Sequence, residues 1–330
     1  MRRSKGLINL IVILVCILCI SSCGTEPTQT VSETAQTVSE PAQTVSESEQ
    51  TISEEEQQVV IEEEKPVVEL TQTEVEADEP EERILHFVDV FGEEYETSIL
   101  DDVPPIDYDC NLFSQDGEKK IYKDDPRYST KLGIDVSYHQ GKINWDKVAA
   151  DGYEFVIIRV AYRGYGKGGS LQKDKLFDSY ISGAQASGLD VGVYIFSQAI
   201  NEDEAIEEAE YVLKCIDGYE LQLPIVYDPE SILDAPARTD DVSGEQFTAN
   251  TLAFCDRIKQ AGYEPMIYSN MLWEAFEFDM SQTSIYPYWY ADYEMLPQTP
   301  YDFEIWQYTN TGRVDGVSTE VDIDIMFIPN

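Results

Sequence analysis

The chain has 330 residues, with 64 Asp and Glu against 22 Lys and Arg, and a formal net charge of −42 at pH 7. This charge argues against a nucleic-acid-binding protein, whose affinity comes from basic side chains that meet phosphate. It also argues against electrostatic attachment to anionic lipid headgroups. The chain has two histidines, His86 and His139, and no pair with metal-site spacing among the cysteines that follow the predicted signal segment. We therefore expect neither a metal site nor a cofactor.

Residues 1–22 have the features of a secretory signal peptide: a basic start, an apolar run over residues 7–20 and small residues after it. The run is too short and wrongly flanked for a comfortable membrane span. The small residues directly before Cys23 resemble a bacterial lipobox, in which cleavage precedes the cysteine and the cysteine receives lipid. We expect a mature chain that begins at Cys23 and is lipid-anchored on the extracellular face of the cytoplasmic membrane. An ordinary cleaved signal with a chance cysteine is the alternative.

Residues 23–82 are rich in Thr, Ser, Glu, Gln, Val and Pro, with 18 acidic residues, one Lys and no aromatic residue. Such a composition cannot bury enough apolar surface to fold, so it predicts a disordered acidic stalk. A seven-residue repeat that begins at Gln29 invites a coiled-coil interpretation. Each repeat offers one strong apolar residue, which is β-branched, and Pro41 interrupts the run.

Residues 83–128 predict a small β-rich module. Apolar residues from Leu85 to Val90, then Gly92, then apolar residues up to Ile99 indicate a hairpin, and Gly117 indicates a second turn. A hairpin is at best marginally stable alone, so we expect the module to pack against the domain that follows it.

Removal of the signal leaves three cysteines, Cys110, Cys215 and Cys255. This odd and sparse set is not a disulfide framework, although the chain is exported. The apolar, helical surroundings of Cys215 and Cys255 predict buried and unreactive thiols.

Residues 131–330 alternate apolar strands with helices, the pattern of an α/β fold with a parallel sheet. Helices are evident only between the first five strands: Asn201, with Glu204 three positions on, predicts a capped start, and Gly262 predicts a helix end. We expect an irregular TIM-like (β/α)5β3 barrel. The predicted strands are residues 132–136, 155–160, 191–196, 224–227, 265–268, 288–291, 303–306 and 321–323.

Four carboxylates, Asp135, Asp228, Glu230 and Asp322, fall where predicted strands meet loops. The carboxyl ends of barrel strands are where such enzymes hold their catalytic groups. Asp228 and Glu230 are two positions apart, so both point to the same face of their strand. Four acids in one cleft cannot all stay ionised, so at least one is expected to have a raised pKa and to donate a proton. Two convergent carboxylates indicate glycoside hydrolysis, although any one acid can instead begin a loop or cap a helix.

Around these carboxylates the sequence resembles the glycoside hydrolase family 25 lysozymes, the Chalaropsis-type N-acetylmuramidases. The resemblance covers essentially residues 131–330, and the order, spacing and number of its motifs make it specific. The matching stretches are GIDVSYHQG at 133–141 with INW at 143–145, FVIIRV at 155–160, YRGYG at 162–166, GVYIFSQ at 192–198, DPE at 228–230, AGY at 261–263 with YSN at 268–270, WYADY at 289–293, and WQY at 306–308 with VDG at 314–316.

The resemblance implies hydrolysis of the β-1,4 bond between N-acetylmuramic acid and N-acetylglucosamine in peptidoglycan. It implies Glu230 as the general acid, with Asp228, Asp135 and Asp322 as the other acidic members of the site. Asp228 would stabilise the oxocarbenium-like state, orient the acetamido group of the substrate or activate water. We expect a cell-wall-associated monomer whose partners are glycan strands and, through lipid on Cys23, the membrane.

The chain departs from the family pattern at two positions. Pro229 stands in the middle of the Asp-x-Glu element, where it removes a ladder donor, and its side chain is expected to point away from the cleft. Asp324 stands where an Asn often ends the last motif, and an added charge there would raise neighbouring pKa values. Neither change removes a catalytic carboxylate.

Four aromatic residues are candidates for substrate binding: Tyr194 and Trp289, near strand ends, and Tyr162 and Trp306. Aromatic rings stack on sugars, but they also build cores and rims. Tyr290 alternates to the other face of its strand, so we expect it in the core.

Two further polar residues near the cleft have an open interpretation. Arg163 lies in a glycine-rich loop and is a candidate for binding an anionic lactyl or peptide group, with a salt bridge within the loop as the alternative. His139 has no partnered nucleophile, so a Ser-His-Asp hydrolase is not supported and we expect a structural or rim residue.

Two other functions compete with hydrolysis. A noncatalytic glycan-binding lipoprotein on the same barrel would keep the groove and lose turnover. An acid-rich calcium site would raise thermal stability when calcium is added, but the four acids lack a compact ligand loop such as an EF-hand.

The lipobox generates a test of membrane anchoring. Replacement Cys23→Ala removes the only predicted lipid acceptor, so we expect the protein to appear in the medium, measured by immunoblotting of membrane and medium fractions. A Cys110→Ala chain is the control and is expected to stay with the membrane. Retention of the Cys23→Ala chain in the membrane fraction would contradict the anchor.

Overall fold

The computed structural model describes residues 82–330 except Asp234. The predicted signal peptide, lipobox and stalk lie outside the described residues. The described strands are β1 (Ile84–Val88), β2 (Glu94–Ser98), β3 (Phe113–Asp116), β4 (Lys119–Tyr122), β5 (Tyr128–Val136), β6 (Phe155–Arg163), β7 (Leu171–Lys173), β8 (Asp190–Ser197), β9 (Ile225–Pro229), β10 (Pro265–Asn270), β11 (Tyr288–Ala291), β12 (Ile305–Gly312) and β13 (Val321–Pro329). The described α-helices are α1 (Trp145–Ala150), α2 (Phe177–Ala186), α3 (Glu202–Cys215), α4 (Gly244–Gln260), α5 (Met271–Phe276) and α6 (Met280–Thr283).

Eight strands close into a barrel in the order β5, β6, β8, β9, β10, β11, β12 and β13, and β13 pairs with β5 to complete the ring. The helices follow the first five of these strands, and no helix lies between β11 and β13 in the described chain. The structure therefore confirms the predicted (β/α)5β3 barrel.

The eighth barrel strand differs from the uniformly parallel sheet that the sequence pattern suggested. The strand β13 runs antiparallel to both β12 and β5. Residues 313–320 are all that connect it to β12, whereas a parallel crossover needs about a dozen residues or more. The chain must therefore turn back, and β13 begins at the rim where the other strands end.

Local signals set the helix ends as the sequence indicated. The side chain of Asn201 accepts the backbone N–H of Glu204 at 2.9 Å, and the Glu204 carboxylate accepts the N–H of Ile200 at 3.1 Å, one residue before the cap. Gly262 follows α4 with a φ of 89°, a left-handed value that glycine adopts without steric cost. These helices bury their apolar faces against the outside of the barrel.

The barrel interior is apolar at its base. Phe155, Met266, Ile305 and Met326 belong to one buried cluster inside the ring of strands. Gly133 makes room for this cluster, since a Cβ there would lie 2.3 Å from the Phe155 ring. Side chains from the base fill the lower barrel, so any cavity must lie at the rim where β5 to β12 end.

The N-terminal module packs on the barrel through aromatic contacts. Two hairpins, β1–β2 and β3–β4, form as expected, with Gly117 in the second turn at a φ of 61°. The Tyr108 ring stacks on Phe327 of β13, with centroids 3.9 Å apart. The Lys120 ammonium lies 4.3 Å from the Trp306 ring of β12. The module therefore shares a core with the barrel.

The described cysteines are all free thiols. Cys255 is buried in α4, as expected, whereas Cys215 and Cys110 are half-buried. None of the helices in the described part of the chain has the length and apolar character that a membrane crossing requires.

The shared core generates a stability prediction. Replacement Tyr108→Ala removes a buried ring that stacks on the barrel, so we expect the free energy of unfolding to fall by about 3 kcal/mol in one cooperative transition, measured by urea denaturation. The exposed Tyr165→Ala change is the control and is expected to shift it by less than about 0.5 kcal/mol. Two separate transitions, or a Tyr108→Ala effect no larger than the control, would contradict a common core.

Candidate active site

The four carboxyl groups singled out from the sequence lie around one cavity of about 280 Å³ at the rim of the barrel. Asp135 lies near the end of β5, and Asp228 and Glu230 lie at the end of β9. Asp322 reaches the same rim because the antiparallel β13 begins there, not because a strand ends there. The structure thus brings together all four residues.

Asp135 and Asp322 form a carboxyl pair. They are directly opposite each other in the antiparallel ladder of β5 and β13, and their side chains are hydrogen-bonded to each other. Two carboxyl groups can form such a bond only if one of them carries a proton. Gln307 Nε2 donates a second hydrogen bond to Asp135 Oδ2 at 2.7 Å. Asp135 Oδ2 thus acts as an acceptor, and the pair holds at least one proton between its two carboxyl groups.

Asp228 and Glu230 present their side chains to the cavity, while Pro229 between them is buried and does not line it. Asp228 is buried, and its Oδ1 has no hydrogen-bond partner among the described protein atoms. Glu230 is half-buried at the point where the strand has ended. Gln198 Nε2 donates to the backbone oxygen of Glu230 at 2.6 Å and so fixes the position of that residue.

Burial and mutual repulsion raise the pKa values of these groups. Burial raises the pKa of Asp135 to about 7. Burial, then the nearby Asp135 carboxylate, hold the pKa of Asp228 well above its usual range. Burial, then Asp228 and Asp322, do the same to the pKa of Glu230. The Arg159 guanidinium opposes both of these shifts but does not reverse them. The site therefore retains protons at neutral pH.

Arg159 is the basic residue that lines the cavity. Its Nε and Nη2 donate to the buried Asp174 carboxylate at 3.1 and 3.0 Å. Its guanidinium also lies over the rings of Tyr138 and Tyr162, at 5.0 and 5.2 Å. These contacts hold the cation at the β6 side of the mouth, facing the carboxyl groups.

Two of the candidate aromatic residues line the cavity. Trp289 lies edge-on to Tyr194, with centroids 6.0 Å apart, and edge-on to Tyr268, with centroids 4.9 Å apart. All three rings line the cavity beside the carboxyl groups. Tyr290 is fully buried on the other face of β11, as its alternation predicted.

Arg163 does not line the cavity, in contrast to the expected substrate contact. Its guanidinium is buried and pairs with Glu208 at 2.7 Å and Glu207 at 2.8 Å on α3. A β-bulge between Arg159 and Ala161 reverses the alternation of β6. Arg159 therefore faces the barrel interior and Arg163 faces the helices. Arg163 does form ion pairs, but with α3 and not within the loop as the sequence suggested.

Trp306 also lies away from the cavity. It is fully buried under the N-terminal module, and its Nε1 donates to the backbone oxygen of Asp292 at 2.8 Å. Its neighbour Gln307 faces the cavity instead, because successive strand residues point to opposite faces. Tyr162 is half-exposed, does not line the cavity and donates its hydroxyl proton to Gln172 at 2.9 Å.

His139 stacks on Tyr138, with ring centroids 4.1 Å apart. It is half-buried, and burial lowers the pKa of its imidazole. The residue does not line the cavity, which agrees with the structural role expected from the sequence.

Sequence reasoning missed the polar residues that hold the carboxyl groups in place. Gln307 accepts the hydroxyl protons of Tyr268 and Tyr293 on Oε1, at 3.1 and 2.9 Å, while its Nε2 donates to Asp135. Gln198 is held in turn by the Thr239 hydroxyl at 2.9 Å. The sequence signal for Gln307 was its place next to Trp306 in a predicted strand, because a residue adjacent to a buried Trp points to the opposite face of the sheet.

Asp324 lies inside the barrel, two positions further along β13 from Asp322. It is fully buried; Oδ1 accepts the Trp289 indole N–H at 2.8 Å, and Oδ2 has no hydrogen-bond partner among the described protein atoms. Burial, then the nearby Asp135, hold its pKa well above the usual range. This shift favours the protonated form of Asp324. Asp324 in turn raises the pKa of Asp322, as the sequence suggested.

Asp324 generates a pH-dependent stability prediction. A raised native pKa means that the native state binds the proton more tightly than the unfolded state, so the free energy of unfolding falls as pH rises above about 4. An Asp324→Asn chain has no carboxyl group at this position, so its free energy of unfolding lacks this dependence on pH. We expect its stability relative to the unmodified chain to increase by about 1.4 kcal/mol per pH unit between pH 5 and 7, measured by urea denaturation.

The exposed Asp241→Asn change is the control for this titration and is expected to show no such slope. A stability difference for Asp324→Asn that stays constant from pH 5 to 7 would show that Asp324 is ionised in the native protein.

No group of three or more His, Cys, Asp or Glu side chains among residues 82–330, Asp234 left aside, is arranged to hold a metal ion. The cavity therefore offers carboxyl groups, amides and aromatic rings, a set suited to proton transfer on a sugar.

The chain is similar to known lysozymes. It is 26% identical over 195 residues to the autolytic lysozyme of Clostridium acetobutylicum, covering 58% of this chain and 54% of that protein. It is 30% identical over 202 residues to lysozyme M1 of Streptomyces globisporus, covering 58% of this chain and 65% of that protein. The chain thus spans less than two thirds of the length of either relative.

Solved structures share the fold. The modular autolysin LytC of Streptococcus pneumoniae aligns with a TM-score of 0.52 at 24% identity, covering 74% of this chain and 56% of that one. The spore cortex lytic enzyme SleM of Clostridium perfringens aligns with a TM-score of 0.52 at 20% identity, covering 62% of this chain and 68% of that one. The model of the glycosyl hydrolases family 25 matches residues 134–317, more than half of the chain and seven of the eight barrel strands at least in part, so the chain belongs to glycosyl hydrolase family 25.

Proposed function

We propose that the protein hydrolyses the β-1,4 bonds between N-acetylmuramic acid and N-acetylglucosamine in peptidoglycan. The observation that carries the proposal is a cavity in a family 25 barrel where protonated and ionised carboxyl groups lie beside aromatic rings. The two relatives described above are lysozymes by name. A structure of the similar autolysin LytC is in complex with a synthetic peptidoglycan ligand.

Glu230 is the proposed general acid. Burial and the neighbouring acids hold its pKa well above the usual range, which favours the protonated form that a general acid needs. It is half-buried at the end of a strand, so the proton is accessible from the cavity. Transfer of this proton to the glycosidic oxygen would let the leaving sugar depart as a neutral alcohol.

Asp228 is the proposed partner of Glu230. Asp228 lines the same cavity, and its buried Oδ1 has no hydrogen-bond partner among the described protein atoms. Its carboxyl group would accept a hydrogen bond from the substrate acetamido group, orient water or face the developing oxocarbenium ion. The positive charge that develops on the sugar in the transition state lowers the cost of an ionised carboxylate in this buried place.

Asp135 and Asp322 are proposed to support the first two acids as one unit. A pair that shares one proton carries a single negative charge close to the cavity. That charge raises the pKa of Asp228 and Glu230 by repulsion and stabilises a cationic transition state. Gln307 keeps Asp135 in position for both effects.

The proposed setting is the outer face of the cytoplasmic membrane. Lipid on Cys23 would fix the monomeric chain there, and the acidic stalk of residues 23–82 would let the barrel reach the surrounding wall. Tyr194 and Trp289 would receive the sugar rings of the glycan strand.

The proposal predicts the loss of activity on removal of the acid. A Glu230→Gln chain keeps the shape of the side chain but cannot donate the proton, so we expect the release of muropeptides from purified peptidoglycan to fall at least about 100-fold. The measurement is chromatography of the soluble products with identification of the new reducing ends. Muramic-acid reducing ends are expected from the unmodified chain.

Glu154→Gln is the matched control, because Glu154 is exposed and directly precedes β6, at the opposite end of the barrel. It is expected to release muropeptides at the unmodified rate. Product release by the Glu230→Gln chain at the control rate would contradict its role. No release by the unmodified chain, with retained binding of the glycan, would point to a noncatalytic binding protein.

A further inference from the structure

The tip of the first hairpin forms one side of the cavity that holds the carboxyl groups. Val88, Asp89 and Val90 line this cavity together with Asp228 and Glu230. The three hairpin residues lie outside residues 134–317, the stretch that the family model matches. The wall is therefore a contribution of this chain's own N-terminal module to the site.

The hairpin is held in place at two points. The backbone N–H of Val88 donates to Gln298 Oε1 at 2.9 Å, and Gln298 Nε2 donates back to the Val88 oxygen at 3.0 Å. Gln298 is held by Asp292, whose Oδ2 accepts its backbone N–H at 2.8 Å. On the other side, the Phe87 ring meets Phe276, with centroids 6.2 Å apart. A wall fixed in this way is preorganised to bind a ligand.

The hairpin stands over the loops that follow β10 and β11. Gln298 belongs to the connection between β11 and β12, and Phe276 ends α5 after β10. In the ring of eight strands, β10 and β11 lie opposite β5 and β6. The hairpin and Arg159 therefore border the cavity from opposite sides, with the carboxyl groups between them.

The surface that the hairpin offers is apolar. Val90 lines the cavity and is 49% exposed, and Leu272 lines the same cavity from α5. The Asp89 carboxylate is occupied within the turn, where Oδ1 accepts the N–H groups of Phe91 and Glu93 at 2.8 and 3.0 Å. The side chain free for contact is thus that of Val90.

The charge on this side selects against an anionic ligand. Asp89, Asp292 and Glu294 line the cavity near the hairpin, and the basic residue that lines it in the described chain, Arg159, is on the far side. A stem peptide or a lactyl carboxylate would be repelled here. An N-acetylated sugar without a charged branch presents an apolar ring face and no charge, so it matches both Val90 and the acidic surroundings.

We propose that the β1–β2 hairpin is a wall of the substrate cleft that binds the glycan strand through an uncharged N-acetylhexosamine unit, with Val90 as the contact. The inference rests on the proposed function and extends it, because it places a sugar-binding position outside the family domain. The position lies beyond the sugars at Asp228 and Glu230, on the side of β10 and β11.

The test is equilibrium binding, which does not require turnover. The full chain with Glu230→Gln is titrated with peptide-free glycan strands, alone or combined with Val90→Ser. Ile84→Ser is the matched control, because Ile84 lies in the same hairpin, is 45% exposed and does not line the cavity. Val90→Ser is expected to raise Kd about fivefold, and Ile84→Ser to leave it unchanged.

A second titration uses strands that still carry their stem peptides. The same ratio of Kd values for Val90→Ser supports contact with the sugar, and an effect confined to peptide-bearing strands would overturn it. Equal Kd values for Val90→Ser and Ile84→Ser would overturn the hairpin wall alone. Absence of glycan binding by the Glu230→Gln chain with an intact hairpin would overturn the proposed function as well.

Discussion

The burial of several carboxyl groups at one end of a barrel, with one cation among the lining residues of the described chain, is the constraint on which the site depends. Arg159 donates two of its N–H groups to Asp174, and one guanidinium cannot neutralise all the acids around the cavity. Ionisation of all the acids is too costly under these conditions, because desolvation and repulsion act together. Protonation of some carboxyl groups removes this cost, and a protonated carboxyl group at the cavity can donate its proton to a substrate.

The irregular end of the barrel brings Asp135 and Asp322 together. Because only residues 313–320 connect β12 and β13, the last strand turns back, and its beginning lies against the end of β5. Asp322 thereby faces Asp135 across an antiparallel ladder, where opposite Cβ atoms are about 5 Å apart. The short connection without a helix between β12 and β13 is thus what places Asp322 beside Asp135.

The sequence predicted the barrel well because its signals are local. Apolar runs, caps such as Asn201 and the glycine after α4 each depend on a few neighbouring residues, and together they indicated eight strands with helices after the first five. The four rim carboxyl groups were found for the same reason, since each follows or begins a strand. Their roles in catalysis remain proposals that the binding and activity measurements address.

The errors concern the direction in which side chains point. Without the bulge between Arg159 and Ala161, Arg159 and Arg163 would lie on the same face of β6. The bulge turns Arg163 towards the helices, and no local pattern in the sequence marks a bulge of this kind. Trp306 was predicted to bind substrate because aromatic rings stack on sugars. The alternation of side chains along β12 instead places Gln307 at the cavity and Trp306 on the opposite face. The hairpin at the cleft depends on contacts with Gln298 and Phe276, which are far away in the sequence.

Raised pKa values alone do not distinguish the catalytic candidates from other buried acids. Burial raises the pKa of Glu208 to about 7, and that of Glu274 to about 7 as well. Each of these two side chains has both oxygens occupied by protein donors. Glu208 accepts hydrogen bonds from the Arg163 guanidinium and the Ser197 hydroxyl. Glu274 accepts hydrogen bonds from the hydroxyls of Ser269 and Thr299.

These hydrogen bonds within the protein indicate a structural role for Glu208 and Glu274, because they hold both oxygens of each side chain in place. Asp228 differs in having a buried oxygen with no protein partner, and Glu230 differs in lying half-buried at the cavity surface. Asp324 also has an oxygen without a protein partner, but it does not line the cavity. A position in the cavity lining together with an unpartnered or partly exposed carboxyl group, more than burial itself, therefore separates Asp228 and Glu230 from the other buried acids.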